Sequence, residues 1–259
     1  MLWCRFESRG GGAFGLLDEG RISLVEGSPF GEWVKTGERC ELSSARLLPP
    51  IAPGTFYAIG SNYKNHVLER AKVRGKPPKF YDEPRVGYRA NSALIPHGAA
   101  IVKPRAAGPN FQYEAELVAV IGKATRNATP AEAAANIFGW TIGNDVTERD
   151  WQRDDPTNLR GKNADTFKPM GPWIATGIAL DDMLTTVRLN GAIAHQFRTA
   201  DMLFSPGEVI SWISRTNTLS PGDVVWLGTD ELPRNIGPGD VVTIDISGIG
   251  TLSNRVVSE

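Results

Sequence analysis

The chain has 259 residues, of which 41% are hydrophobic and 22% charged, and its net charge at pH 7 is −1. This near-zero charge gives no electrostatic reason to expect a nucleic acid or an anionic membrane as partner. No apolar run approaches the roughly 20 residues that a membrane-spanning helix needs, and the first residues, MLWCRFESRGGG, lack the pattern of a signal peptide. We therefore expect a cytoplasmic protein whose cysteines, Cys4 and Cys40, stay reduced.

Turn-forming residues dominate the local patterns of this sequence. Glycine and proline occur 28 and 18 times, and long helical periodicity is scarce, which predicts many short strands joined by turns. Two strands are predicted about the turn at 18–20, and the proline-rich run at 48–54 is typical of a linker. We expect a small β-rich domain over residues 1–50 and a main domain over residues 51–259. The predicted class is mainly β with short helices (α+β).

The first candidate catalytic residues follow a short apolar strand at 56–60. Ser61 or Asn62 is expected to cap a helix on which His66 and Glu69, three residues apart, share a face. A carboxylate beside an imidazole raises its basicity, which is what activation of a water molecule requires. The alternative is an incidental surface pair. The basic segment that follows, residues 70–92, is either a mobile lid or a solvated loop.

A strand predicted over 111–122, FQYEAELVAVIG, carries two acidic side chains on one face. Glu114 and Glu116 are two residues apart, so they point the same way at a spacing of about 6.5–7 Å. Two like charges on a largely apolar strand resist burial, and a cation between them would remove the conflict. Oxygen ligands favour a hard ion such as Mg²⁺, Mn²⁺ or Ca²⁺. The alternative is a solvated strand edge that carries two acids.

Two further polar residues lie next to apolar strands. The strand predicted at 139–146 contains Asp145 near its end, where it is a candidate third metal ligand. Lys162 precedes a turn into another strand, where it could neutralise a developing enolate or be an ordinary surface lysine. The other predicted elements are a strand at 100–103, a helix at 130–136 capped by Thr129, a helix at 206–214, and strands after turns at 221–223 and 238–240.

In order and spacing, these segments resemble the fumarylacetoacetate hydrolase superfamily over roughly residues 55–257. The resemblance is carried by IGSNYKNHVLE, FQYEAELVAVIGK, GNDVTERDWQ, GKNADTFKPMGPW, ADMLFSPGEVISWIS, LSPGDVVWLGT and GDVVTIDISGIGTLSNRVV. It implies a mixed β-sandwich roll of that family's C-terminal type, built around one Mg²⁺ or Mn²⁺ per subunit of a homodimer. It also implies a small-molecule oxo acid as the partner.

The resemblance implies roles for individual residues as well. The metal-ligand positions are Glu114, Glu116 and Asp145, the catalytic positions are His66, Glu69 and Lys162, and the substrate-binding positions are Arg89, Arg149, Gln152 and Thr229. Two residues depart from the family's pattern. Many relatives carry a lysine at the position of Arg89 and a proline at the position of Asp230, so both a pocket cation and a pocket loop are changed.

The implied activity is metal-dependent hydrolysis of a carbon–carbon bond in a 2-oxo or 1,3-dicarbonyl acid, such as an acylpyruvate or fumarylpyruvate. Glu69 would orient His66, which takes a proton from water, while the metal and Lys162 stabilise the leaving enolate. One alternative is decarboxylation or isomerisation of a 2-hydroxy-dienedioate or an oxaloacetate-type acid in aromatic catabolism. Others are a non-catalytic ligand-binding member and a calcium-stabilised structural protein.

Overall fold

The computed structural model describes residues 1–8, 10–180, 182–230 and 233–259. The strands are β1 (Leu2–Ser8), β2 (Gly11–Asp18), β3 (Arg21–Gly27), β4 (Trp33–Glu41), β5 (Phe56–Ile59), β6 (Val86–Tyr88), β7 (Leu94–Ile95), β8 (Ile101–Lys103), β9 (Phe111–Gln112), β10 (Ala115–Ile121), β11 (Ile137–Asn144), β12 (Thr147–Glu148), β13 (Lys168–Ala175), β14 (Leu184–Leu189), β15 (Ala192–Arg198), β16 (Val224–Trp226), β17 (Val241–Ile246) and β18 (Gly250–Ser258). The α-helices are α1 (Lys64–Arg74), α2 (Pro130–Ala135), α3 (Arg149–Asp154), α4 (Leu159–Asn163) and α5 (Pro206–Ser214).

Two sheets face each other across the main hydrophobic core. The larger has eleven strands, in the order β4-β3-β2-β1-β13-β11-β10-β16-β5-β6 with β7 paired to β13, and the smaller has the order β15-β14-β17-β18-β8. Most neighbours are antiparallel, but the pairs β16–β5, β13–β7 and β18–β8 are parallel. Side chains from both sheets contribute to one buried cluster. The predicted mixed β-sandwich with short helices is therefore confirmed.

The first four strands form a meander that joins the larger sheet. β1 pairs with β13, and Leu2 lies opposite Ala175. The sequence predicts β2 and β3 about their turn but not β4, because most of β4 is exposed and lacks the alternation of a half-buried strand. Residues 1–50 thus contribute strands to a sheet that they share with the rest of the chain. The domain boundary near residue 50 stays a prediction.

Strand β10 lies inside the larger sheet, between β11 and β16, and all seven of its residues are buried. Leu117 and Ala119 face the core between the sheets, whereas Val118 and Val120 face a second apolar cluster on the opposite side. The alternation predicted for this strand is therefore present, with apolar layers on both faces. A solvated strand edge is excluded, because β10 has a neighbour on each side.

The strand predicted over 111–122 is broken in the structure. β9 ends at Gln112 and β10 begins at Ala115. Between them the backbone N–H of Glu114 donates to the side-chain oxygen of Asn144 in β11 at 3.1 Å, rather than to a backbone carbonyl of that strand. The prediction of one continuous strand was wrong because this side chain takes the place of a ladder hydrogen bond.

Helix α1 is present where the sequence predicts it, but it begins differently. Its N-cap residue is Tyr63, and no side chain caps the helix. Asn62 instead donates to the carbonyl oxygens of Phe204 and Leu227 at 3.1 and 3.0 Å. The prediction that Ser61 or Asn62 caps this helix was wrong, because the Asn62 amide is used in contacts between distant segments.

The other two predicted helices are confirmed by their caps. α2 and α5 each begin with a capping box and a proline at the first turn, with Thr129 and Ser205 as the N-cap residues. Among the described residues, no helix combines the length and the apolar character needed to cross a bilayer.

The ring of Trp226 packs closely over β11, and this contact allows a test of the fold. Gly143 of β11 lies opposite Glu116 of β10, and a Cβ built on it would lie 2.6 Å from the buried ring of Trp226. We expect Gly143→Ala to lower the free energy of unfolding by about 1–3 kcal/mol, because the ring has to shift.

Gly87→Ala is the matched control, because a Cβ at Gly87 of β6 would have no atom within 4 Å. Its stability should equal or slightly exceed that of the wild type. Denaturant unfolding measures both variants, and equal stability of the two would contradict the packing of Trp226 on β11.

Candidate metal and active site

Three buried carboxylates meet where β10 pairs with β11. Glu114 directly precedes β10, Glu116 is its second residue, and Asp145 directly follows β11. The two strands are antiparallel, so Glu114 and Asp145 lie side by side, and the backbone N–H of Asp145 donates to the carbonyl of Glu114 at 2.8 Å. The three residues are 5%, 2% and 1% exposed, and one oxygen of each lies within 4.8 Å of the others. The sequence prediction that these acids come together is met, and their role as ligands stays a prediction.

Asp145 is bound by three cationic side chains. Arg89 donates from Nε and Nη2 at 3.2 and 2.9 Å, and Lys162 donates from Nζ at 2.5 Å. The Nζ atom of Lys168 lies 2.7 Å from the other carboxylate oxygen. Burial raises the pKa of Asp145, but these cations outweigh it and hold the pKa well below its usual range.

Glu114 is bound by two cations. Arg149 donates from Nη2 to one carboxylate oxygen at 2.5 Å, and Lys162 donates to the other at 2.6 Å. Their charges lower the pKa of Glu114 more than burial raises it. Arg149 is itself held by Gln112 and Gln152, whose side-chain oxygens accept from its Nε and Nη1 at 2.7 and 3.0 Å. Predicted substrate residues Arg149 and Gln152 thus lie together beside the carboxylates.

Glu116 differs from the other two acids because no cationic side chain among the described residues forms a salt bridge with it. The backbone N–H of Gly228 donates to its carboxylate at 2.8 Å. Burial and the neighbouring charges of Asp145 and Glu114 raise the pKa of Glu116 to about 8. Together the three buried carboxylates form a set of oxygen donors. Such a set fits a divalent cation that prefers oxygen ligands, such as Mg²⁺ or Mn²⁺.

Helix α1 places His66 beside this cluster. His66 is 3% exposed, and its charge contributes to lowering the pKa of Glu114. The Nη1 atom of Arg70, one turn further along, lies 3.5 Å from the imidazole Nε2. Glu69 lies on the same helix but is exposed. Its role in orienting the imidazole therefore stays a prediction.

Thr229 lies on the segment that binds Glu116, directly after Gly228. Its side chain is 4% exposed, and its hydroxyl has no hydrogen-bond partner within the parts of the chain that the structure describes. The substrate-binding role of Thr229 stays a prediction.

Two cations of the site were not predicted from the sequence. Lys168 is fully buried and donates to the carbonyls of Val146 and Phe167 at 3.0 and 2.9 Å, and burial lowers its pKa to about 7. The available signal was a lysine at the start of the apolar strand β13. Burial likewise lowers the pKa of Arg70 to about 10, and its i+4 spacing from His66 was the signal.

Removal of one carboxylate tests the metal site. We expect Glu116→Ala to abolish the rise in melting temperature that Mn²⁺ gives to the wild-type protein, because binding to the folded state alone stabilises it. Glu26→Ala removes an exposed carboxylate from β3 and should keep the full rise. Calorimetry that shows unchanged Mn²⁺ affinity in Glu116→Ala would contradict the site.

The raised pKa of Glu116 makes metal binding depend on pH. Below pH about 8 the metal-free carboxyl is mostly protonated, so a metal has to displace about one proton, and affinity should rise with pH and level off above 8. Calorimetry at pH 7 in two buffers of different ionisation enthalpy measures this release.

The same shift affects the metal-free protein. Because the folded pKa lies above the usual value of 4.5, stability should fall as pH rises from about 4.5 to about 8. In the calorimetry at pH 7, heats of metal binding that are the same in both buffers would contradict the protonated state of Glu116.

Both parts of the chain match known protein families. The family model described as fumarylacetoacetate (FAA) hydrolase C-terminal matches residues 55–257, and a model described as Rv2993c-like, N-terminal matches residues 1–50. Protein Rv2993c of Mycobacterium tuberculosis is 41% identical over 236 residues, which cover 88% of this chain and 85% of that protein.

Two other relatives have names that describe an activity. The 4-hydroxyphenylacetate degradation bifunctional isomerase/decarboxylase of Salmonella dublin is 38% identical over 215 residues, 82% of this chain; the match spans only 48% of that relative's length. The crystal structure of 5-carboxymethyl-2-hydroxymuconate delta-isomerase from Mycobacterium smegmatis is 36% identical, with a TM-score of 0.90 and full coverage of both chains. This chain therefore belongs to the fumarylacetoacetate hydrolase family.

Proposed function

We propose that this chain is a divalent-metal-dependent enzyme that acts on 2-oxo acids through an enolate. The observation that carries the proposal is the balance of buried charge. Four cationic side chains contact the carboxylates of Glu114 and Asp145, and these are Arg89, Arg149, Lys162 and Lys168. A divalent ion would add further positive charge, so the loaded site would attract an anionic acid and stabilise negative charge that develops on it.

The residues of the chain have distinct parts in this proposal. Glu114, Glu116 and Asp145 would hold Mg²⁺ or Mn²⁺, one per subunit, and the ion would supply Lewis-acid stabilisation of the enolate oxygen. Lys162 is 5% exposed and would contribute a second positive charge from a water-poor position. Arg89 and Arg149 fix the carboxylates and leave the site positive enough to hold the substrate's acid group.

Isomerisation or decarboxylation of a 2-hydroxy-dienedioate is the reaction we place first. Relatives that are 36% and 38% identical are named as an isomerase and as an isomerase/decarboxylase. Both reactions need the enolate and a group that moves a proton, and they need no activated water.

Hydrolysis of a carbon–carbon bond in an acylpyruvate or fumarylpyruvate is the second candidate. The observation in its favour is the place of His66, a buried imidazole close enough to Glu114 to affect the pKa of that carboxyl. In its neutral form, an imidazole at this position could take a proton from a water molecule, with Glu69 as the carboxylate that orients it. The same enolate would then be the leaving group.

The two candidates differ in their products, so a substrate panel separates them. Acylpyruvates, fumarylpyruvate, oxaloacetate and a 2-hydroxy-dienedioate would be followed by absorbance with Mn²⁺ and again with a chelator. Chelator-sensitive change of the dienedioate or oxaloacetate without a cleaved acid supports isomerisation or decarboxylation. Release of pyruvate from an acylpyruvate supports hydrolysis. No change in any of these substrates, with the metal still bound, would contradict the proposed enzymatic activity and favour a non-catalytic, ligand-binding member of the family.

We expect His66→Ala to lower turnover by about 10²–10⁴, because the site loses its proton-transferring imidazole, while Mn²⁺ affinity is unchanged. His97→Ala is the control. His97 accepts a hydrogen bond at 3.1 Å from the backbone N–H of Ser253, which lies on β18 and not on the strands that carry the carboxylates. Steady-state kinetics on the active substrate measures both, and a near wild-type rate in His66→Ala would remove this residue from the mechanism.

We further propose that the enzyme is a cytoplasmic homodimer that works in the catabolism of aromatic compounds. The near-neutral net charge of −1 supports the location, because it gives no electrostatic reason to bind an anionic membrane surface. The pathway is supported by the name of the Salmonella dublin relative. Light scattering in solution tests the dimer, and the mass of a single chain, 28.1 kDa, would contradict it.

A further inference from the structure

Asp230 lies against the first turn of helix α1. The side-chain amide of Asn65 donates to its Oδ2 at 3.2 Å, and the backbone N–H of His66 also bonds to this carboxylate. Asp230 is 6% exposed. The first N–H groups of a helix have no partner within the helix, and α1 has no side-chain cap of its own. The carboxylate of Asp230 therefore takes the place of a cap, from a residue 165 positions away from Asn65.

The segment that carries Asp230 is also fixed to the carboxylate cluster. Gly228, two residues earlier, donates its backbone N–H to Glu116 at 2.8 Å. The preceding residue, Leu227, accepts from the side chain of Asn62 at 3.0 Å. We call residues 227–230 the bridging segment. Its contacts connect Glu116 on one side with the start of α1 on the other.

We propose that Asp230 is a positioning residue that fixes His66 relative to the metal-binding carboxylates. The inference rests on the proposed function, in which His66 moves a proton at this site. A carboxylate suits this task because the N-terminal end of a helix carries partial positive charge. Its contact is made at the residue that carries the imidazole, so a change in Asp230 would shift the imidazole directly.

The direct readout is the exchange of the His66 backbone amide, followed by NMR or by mass spectrometry of the peptide that contains it. Asp230→Ala should increase this exchange, because the amide loses its acceptor. It should also lower kcat by about 10–100-fold, the usual effect of losing a residue that orients a reacting group. KM and Mn²⁺ affinity should stay unchanged, since the three carboxylates are intact. Asp230→Asn keeps an acceptor oxygen and should restore most of the protection and of kcat.

Asp201→Ala is the matched control. Asp201 is an exposed carboxylate whose charge raises the pKa of Tyr63 and of Asp230, so it lies in the same neighbourhood. Removing it changes the local charge by the same amount, and both readouts should remain at the wild-type level. An equal loss in Asp201→Ala would show a general charge effect and overturn the proposal.

The outcomes separate this inference from the proposed function. Unchanged exchange at His66 in Asp230→Ala would overturn the inference even if the enzyme is active. Increased exchange with unchanged kcat would overturn the positioning role. If the wild type fails to convert any oxo acid, the proposed function fails, while the exchange experiment still decides whether Asp230 holds the helix. If Asp230→Ala does not fold, Asp230→Asn is the deciding variant. Loss of protection of the His66 backbone amide in this variant, together with a wild-type kcat, would overturn the proposal.

Discussion

Three carboxylates lie side by side in the interior where β10 meets β11, and their mutual repulsion is the constraint on which the surrounding structure depends. Each is at most 5% exposed, so water cannot screen their charges. Cationic side chains neutralise Asp145 and Glu114, whereas Glu116 accepts a hydrogen bond from the backbone N–H of Gly228 and has no cationic partner in the described parts of the chain. This uneven neutralisation leaves one carboxyl with a raised pKa, and that carboxyl is where an added cation relieves most repulsion.

The fold makes this arrangement possible because β10 is covered on both faces. Apolar side chains fill each side of the strand beyond Glu116, and Gly143 allows the Trp226 ring to close the layer beside it. The cations arrive from separate segments: Arg89 follows β6, Lys162 lies on α4 and Lys168 starts β13. The ion pairs with the buried carboxylates therefore help to fix the position of each of these segments. The sandwich supplies the buried interior, and separate segments of the chain supply the cations that contact the carboxylates.

The sequence predicts the acids better than their partners. Period-two alternation places Glu114 and Glu116 on one face, and Asp145 at the end of an apolar strand is a candidate third member of the group. Local pattern still left a solvated strand edge open, and the family resemblance favoured the metal-binding interpretation. Lys168 was missed because its burial depends on the pairing of β13 with β11 and β1, which no local pattern encodes. The prediction of the residue that caps α1 was wrong for the same reason. Asn62 and Asp230 make their contacts with residues more than 140 positions away, which local pattern does not encode.

Hydrogen–deuterium exchange at the carbon next to the keto group of a 2-oxo acid tests the central claim most directly, because an enolate intermediate exchanges that proton whichever reaction follows. Oxaloacetate and 2-oxobutanoate in D₂O would be followed by proton NMR. We predict exchange that requires the protein and Mn²⁺ or Mg²⁺, and that falls to the uncatalysed rate in Glu116→Ala. An uncatalysed rate with the wild-type protein and saturating metal would contradict the account.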